Sequence, residues 1–441
     1  MNYEIIYITL ISILIISRLI LLFKNEVFNK LLILFISFTF LMWYIIPFVL
    51  TIFEIVYIFD FLDVSVDDYY KLALNEFIFF YLVLLGFSFI KRKKKLNLGV
   101  TFLLDENERK SNFLYRTSYI YIIFYIVYTL LFRMDYEFNN QVENQQGGTY
   151  QLISFFSFFF ISYNWIILIY SESINLRKKS FLLIFILSIV LLLSGSRMHL
   201  LSLLFLIYFY LRVEQDKLKR IRNYTIISVL SLFSLMLLPV LGTSRVNNNS
   251  LSENLSIENI LLMNNLILEE LNTKLNSVAY STVLLKYDGE SFAGLNPYKG
   301  SLFKFIPRFF WNDKPTPSSY NSSVDGIPSR RIPDLLGNYS DVFNTGTSPY
   351  AVSVWQLGIY GVIISILFNI LYLIFINILF NYKSLLLKSL GFMLIGFPQF
   401  NMLFTTGDNV VQKLEEFFVF ALILMFLKYI IPVKIYEDNI V

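Results

Sequence analysis

The 441-residue chain contains no cysteine and a single histidine, His199. The first absence excludes disulfides, thiolate-bound metals and a cysteine nucleophile. The second excludes a metal centre built from several imidazoles. Charge is scarce too: Asp, Glu, Lys and Arg make up 15% of the residues, against roughly 25% in soluble domains. A chain with so few charged groups cannot cover a large water-facing surface. The N-terminus, "MNYEIIYITLISILIIS", lacks a basic stretch and a small-residue cleavage site, and is expected to stay as a first span. What fills the chain instead is apolar: 56% of residues are hydrophobic and 18% aromatic. Apolar runs of about 20 residues recur along it, which predicts an all-α polytopic membrane protein.

Spans are expected at 5–23, 31–53, 72–90, 115–132, 150–170, 181–194, 198–211, 223–241, 352–380, 386–404 and 415–431. That gives about eleven transmembrane helices with one large external loop, 242–349, between the eighth and the ninth. The chain thus divides into 1–241, with a short hairpin at 181–211; the loop 242–349; and a final helical block, 350–441. Most of the 36 basic residues fall in short connections on one side, among them "KRKKK" and "RKK". Basic connections face the cytoplasm, so the N-terminus is expected outside, the C-terminus inside and the long loop outside. This placement explains the net charge of +4 without any nucleic-acid partner. The run "KRKKK" reads as a stop-transfer anchor or an anionic-lipid site. Span 352–380 reads as one tilted helix in preference to a tight hairpin, with Gly358 and Gly361 allowing a bend or a close helix approach.

The stretch "RKKSFLLIFILSIVLLLSGSRMHLLSLLFLIYFYLR" has basic flanks at both ends and must cross an even number of times. Each half has 14 residues, about 21 Å of helix against a hydrocarbon core of about 30 Å. The turn "SGSR" is therefore expected below the outer surface, carrying Arg197 with it. An arginine at that depth reads as a site facing a wet cavity or an anion, or as a side chain snorkelling to lipid phosphates. His199 beside it could hold a sugar hydroxyl, shuttle a proton, or simply be hydrogen-bonded.

The long loop opens with Arg245, followed by "SIENILLMNNLILEELNTKL", apolar at helical spacing and read as an interfacial amphipathic helix or as loop packing. Next comes "SLFKFIPRFFWNDKPTPSSYNSSVDGIPSRRIPD", whose prolines favour an ordered irregular loop. Arg308, Lys314, Arg330 and Arg331 offer positive charge suited to phosphate, and Trp311 offers a face for a sugar or the membrane interface. If the protein is an enzyme, an acceptor hydroxyl needs one nearby carboxylate. Asp325 and Asp341 flank the Arg330–Arg331 pair and are the preferred candidates. Glu269, Glu270 and the first-loop acids Asp60, Asp63, Asp67 and Asp68 remain alternatives.

Taken together, "IPRFFWNDKP", the SGSR turn and a large loop before the last three spans resemble the Wzy-type polymerases of O-antigen and capsule repeat units. The matching positions are Pro307, Arg308, Trp311, Lys314 and Pro315, then the glycine pair Gly358 and Gly361, with Arg197 in the turn. Related polymerases often carry an acidic residue shortly before that glycine pair. Here "SPYAVSVWQLG" has none, so no catalytic acid carries over to that position. The resemblance implies an inner-membrane glycosyltransferase that moves a growing glycan from undecaprenyl pyrophosphate onto a fresh lipid-linked repeat unit, with no cofactor. A chain-length regulator and a flippase are candidate partners.

Fixed arginines can stabilise a departing pyrophosphate without a metal. Arg197 and Arg245, supported by Arg308 and Arg331, are the candidates. Three rivals stay open. An O-antigen ligase shares the buried arginine and the lipid-pyrophosphate donor. A C-type lipid-sugar glycosyltransferase would use the acidic first loop, "DFLDVSVDDYY". A lipid-oligosaccharide transporter would be expected to show internal repeats, which are not seen.

Overall fold

The computed structural model describes residues 3–25, 27–53, 64–89, 108–132, 148–171, 173–193, 277–302, 347–382, 384–395 and 404–430. Within them the chain is helical, with no strand. The helices are α1 (Tyr3–Lys24), α2 (Lys30–Ile52), α3 (Val66–Ser88), α4 (Glu108–Phe132), α5 (Gly148–Tyr170) and α6 (Ile174–Leu193). After them come α7 (Ser277–Tyr287), α8 (Asn296–Leu302), α9 (Pro349–Asn381), α10 (Leu385–Ile395) and α11 (Gly407–Ile430). Among the described residues α1, α2, α3 and α9 are long and apolar enough to cross a membrane.

Helix α1 shows why such elements belong in lipid. Ile8, Ile15, Leu19 and Leu22 are buried at helical spacing, forming one stripe against α3. The opposite face carries exposed Leu10, Ile13, Leu14, Ile20 and Leu21. A helix as apolar outside as inside is a membrane helix, because lipid accepts what water would not. Helix α2 starts where the Asn29 side chain accepts from the Leu31 N–H. It then passes through a π-helical turn at Leu41–Ile45. Pro47, at the start of the next segment, has no N–H to offer the carbonyl of Trp43, and the wider turn accommodates that loss.

Helix α9 is the hub: α3, α7, α10 and α11 all pack against it. Helices α4, α5 and α6 pack on one another, and α5 joins them to the rest through α10. Buried Asn164 of α5 ties this group together. Its amide donates to Ser118 Oγ of α4 at 3.1 Å, and its carbonyl accepts from Ser180 Oγ of α6 at 3.2 Å. Such interhelical bonds contribute on average about 0.6 kcal/mol in membrane proteins. At the other end of α9, Asn377 accepts from the Asn29 N–H at 2.8 Å and donates to the Val27 carbonyl at 3.2 Å.

The expected spans 5–23, 31–53 and 150–170 coincide closely with α1, α2 and α5, while 115–132 shares its end with α4, which begins seven residues earlier. Helix α3 begins six residues before the expected 72, because Ser65 and Asp68 close a cap there. Helix α6 takes in "RKK" and is longer than the apolar run 181–194. The spans 198–211 and 223–241 lie outside the described residues, so the hairpin is described only in its first arm. Residues 277–302, within the segment expected as external loop, fold as α7 and α8. Ser277 to Leu284 of α7 are buried throughout, against α3 and α9.

The reading of 352–380 as one tilted helix needs correction. Leu357 (φ −136°, ψ 20°) and Gly358 (φ 59°, ψ −143°) are non-helical, and the chain reverses there. Ser353 and Ser365 would lie about 18 Å apart along a straight helix, yet their Oγ atoms are 2.7 Å apart. The short first arm folds back along the long second arm. Only glycine tolerates the Gly358 backbone. At Gly361 an added Cβ would sit 2.1 Å from the Ser353 carbonyl oxygen, so the close approach requires a residue without one.

Candidate functional site

The two arms of α9 organise the polar interior of the bundle. The short arm begins at Pro349, where three groups meet its free N–H ends. Ser348 Oγ accepts from the Ala351 N–H at 3.1 Å. Glu76, from the middle of α3, accepts through Oε1 from the N–H groups of Tyr350 at 2.8 Å and Ala351 at 3.3 Å. Ser281 Oγ of α7 accepts from the Ser348 N–H at 2.8 Å. A carboxyl group at a helix N-terminus complements the partial positive charge there. The side chain of Glu76 is fully buried. Its Oε2 has no partner among the described residues, and neither has the hydroxyl of Tyr44, which stands in the π turn of α2.

The far end of the short arm is closed by the α7–α8 connection. Ser291 and Ala293 donate their N–H groups to the carbonyls of Val354 (3.0 Å) and Trp355 (3.2 Å). The Trp355 indole donates to Asp288 Oδ2 at 3.1 Å and lies 5.7 Å from the Phe292 ring. The first-turn N–H groups and the Val354 and Trp355 carbonyls of this short arm are therefore satisfied, as backbone within a bilayer-spanning bundle requires.

At the reversal itself a third element arrives. The Gly407 N–H at the start of α11 donates to Ser365 Oγ at 2.8 Å. Buried Gln356 donates through Nε2 to Asp408 Oδ1 at 3.0 Å. Asn369 exchanges hydrogen bonds with the backbone of Thr405, donating at 2.6 Å and accepting at 3.1 Å. Tyr298 of α8 points at Ser365 without closing a hydrogen bond of normal geometry. Burial, reinforced by the nearby Asp408 charge and partly offset by Ser365, pushes the Tyr298 phenol up to about 12. It is therefore a neutral donor at any physiological pH.

The sequence-predicted residues Arg197, His199, Arg245, Arg308, Trp311, Lys314, Asp325, Arg330, Arg331 and Asp341 all lie outside the described residues. So do Asp60, Asp63, Glu269 and Glu270. Asp67 and Asp68 are described, in the first turn of α3. Asp68 there accepts from Ser65 Oγ at 2.6 Å, while its own N–H donates back to Ser65 Oγ at 3.1 Å. That is a helix cap, which accounts for Asp68 without catalysis.

Glu76, Gln356 and Asp408 stand in helices, away from the loops that carry the sequence motifs. The signal for Glu76 was available: one acidic residue inside the apolar run "LALNEFIFFYLVLL" is by default a functional or structural centre. No comparable signal marks Gln356, whose partner is 52 residues away. The glycine pair was read correctly as a place for a bend or a close approach.

The family model described as O-antigen polysaccharide polymerase Wzy matches residues 1–281. No curated protein and no solved structure matches the chain.

Proposed function

The chain belongs to the Wzy family of O-antigen polysaccharide polymerases, and from that membership we propose that it joins undecaprenyl-pyrophosphate-linked repeat units into O-antigen or capsular polysaccharide. The family match over residues 1–281 is the observation that carries this reading. It is a multi-pass membrane protein, and the reaction is placed at the outer face of the inner membrane, with the N-terminus outside and the C-terminus in the cytoplasm.

In the proposed step the acceptor sugar hydroxyl attacks the anomeric carbon of the donor glycan. The bond from that carbon to the pyrophosphate oxygen breaks, and undecaprenyl pyrophosphate leaves with the electron pair. Arg197 and Arg245, with Arg308 and Arg331 beside them, hold the developing charge in a poorly hydrated site, where fixed cations act strongly. Lys314, Arg330 and His199 complete the donor contacts, and Trp311 stacks on a sugar face. Asp325 or Asp341 takes the proton from the acceptor hydroxyl. The anomeric centre inverts, because attack and departure occur on opposite faces.

The test is complementation of a polymerase-deletion strain, read on a polysaccharide gel. The wild-type gene restores a ladder of long chains, and Arg197→Ala leaves single repeat units on the core. Long chains from the Arg197→Ala gene would remove Arg197 from the scheme. Failure of the wild-type gene to lengthen chains would remove the polymerase reading itself.

A further inference from the structure

Around Gly407 the bundle gathers buried polar atoms that have no partner among the described residues: Tyr298 Oη, Ser301 Oγ, Gln356 Oε1 and Thr406 Oγ1. Ser301, Gln356 and Thr406 are each no more than 4% exposed. Several observations place them at one junction. Tyr298 Oη would lie 2.7 Å from a Cβ built on Gly407. Thr406 and Asp408 flank that glycine in the sequence, and Gln356 holds Asp408. Ser301 stands one turn beyond Tyr298 on α8, hence on the same face, and α8 packs against α11. Four orphaned polar atoms in one place would each cost roughly 1–3 kcal/mol if left so. Natural interiors avoid that unless a ligand or water completes them.

The inventory of donors and acceptors says what fits. Tyr298, Ser301 and Thr406 carry O–H groups that need an acceptor, so a bare cation would leave those protons unsatisfied. Gln356 Oε1 needs a donor, and the Asp408 carboxylate that Gln356 holds repels negative charge, so a phosphate does not fit either. A neutral hydroxyl group, which donates and accepts at once, satisfies both sets. The geometry points to this junction as a subsite for a sugar hydroxyl of the lipid-linked repeat unit. The assignment rests on the polymerase reading, which supplies the sugar. Its position along the chain agrees: Ser301 precedes Arg308 by seven residues, and the arms of α9 follow the same loop segment. The subsite orients the oligosaccharide, while the pyrophosphate chemistry belongs to the arginines.

The experiment uses purified full-length protein and lipid-linked repeat units extracted from the polymerase-deletion host. Tyr298→Phe and Thr406→Val each remove one hydroxyl and keep the shape. Each is expected to raise KM for the repeat unit by about fivefold to tenfold, the worth of one neutral hydrogen bond, with a smaller change in kcat. Saturating repeat unit is expected to raise the melting temperature of the wild type, and to raise that of either variant less. The ligand-free variants should melt no lower than the wild type, because an unpartnered hydroxyl has been removed. If the junction merely holds water, both variants will melt lower while KM and the ligand-induced shift stay at wild-type values, and the subsite is refuted. Elongation by the wild type tests the polymerase reading separately, since the melting shift needs no turnover.

Discussion

Ser353 and Ser365, twelve residues apart in one helix by sequence, meet hydroxyl to hydroxyl at 2.7 Å across the reversal in α9. The two are not equivalent. Ser353 Oγ also bonds the Pro349 carbonyl, whereas Ser365 Oγ also receives the Gly407 N–H. Ser365→Ala therefore strips α11 of a buried acceptor at its first residue, at a cost of about 1–3 kcal/mol. Ser353→Ala leaves that N–H paired and should cost less. Melting temperatures in detergent should fall further for Ser365→Ala; the reverse order would mean that α11 is held by other contacts.

The two glycines of α9 should fail for different reasons. Gly358→Ala forces a side chain into a backbone region open essentially to glycine alone, costing about 1–3 kcal/mol. Gly361→Ala drives a methyl into the Ser353 carbonyl, 2.1 Å from where the Cβ must go, and pries the arms apart. Both should lower the melting temperature, and Gly361→Ala should also open Ser353 to a thiol reagent when cysteine is placed there. Protection of that cysteine in the Gly361→Ala background would show that the arms do not pack as described.

Glu76 separates two roles that substitution can tell apart. As an acceptor for the N–H groups of Tyr350 and Ala351 it needs an oxygen, not a charge. Glu76→Gln should keep chain lengthening near wild type, whereas Glu76→Leu should lose it and about 1–3 kcal/mol of stability. Polysaccharide gels beside detergent melts give both readouts. A glutamine variant as inactive as the leucine variant, yet stable, would make proton transfer the role of this side chain.

The first-loop acids bear on the C-type alternative. Asp68→Asn keeps an oxygen for Ser65 and weakens only the helix start, by a few tenths to about 1 kcal/mol. Chain length on gels should be unchanged. Loss of polymer without loss of folded protein would return the acidic first loop to the chemistry.

How far the sequence could be read depended on whether the cause was local. Apolar runs place α1, α2 and α5 within a few residues, because lipid immersion acts on each segment by itself. The start of α3 was missed because Ser65 and Asp68 decide it, not hydropathy. The reversal in α9 was half visible: Gly358 and Gly361 marked the place, but its sharpness depends on Ser353 and Ser365 meeting. The junction of Tyr298, Gln356 and Asp408 joins three distant segments, and no pattern within any one of them announces it.

Asn377 reaches back to Val27 and Asn29, and Glu76 reaches forward to Tyr350. The stretch covered by the family model is thus stitched at two points to a helix beyond its limit. A gene fragment ending near residue 281 would yield a protein in which the buried Glu76 carboxyl group loses both of its N–H donors and the Asn29 N–H loses its acceptor. Such a fragment should be cleared by membrane proteases unless the missing helices are supplied on a second polypeptide, in which case the two pieces should find each other through those same sutures.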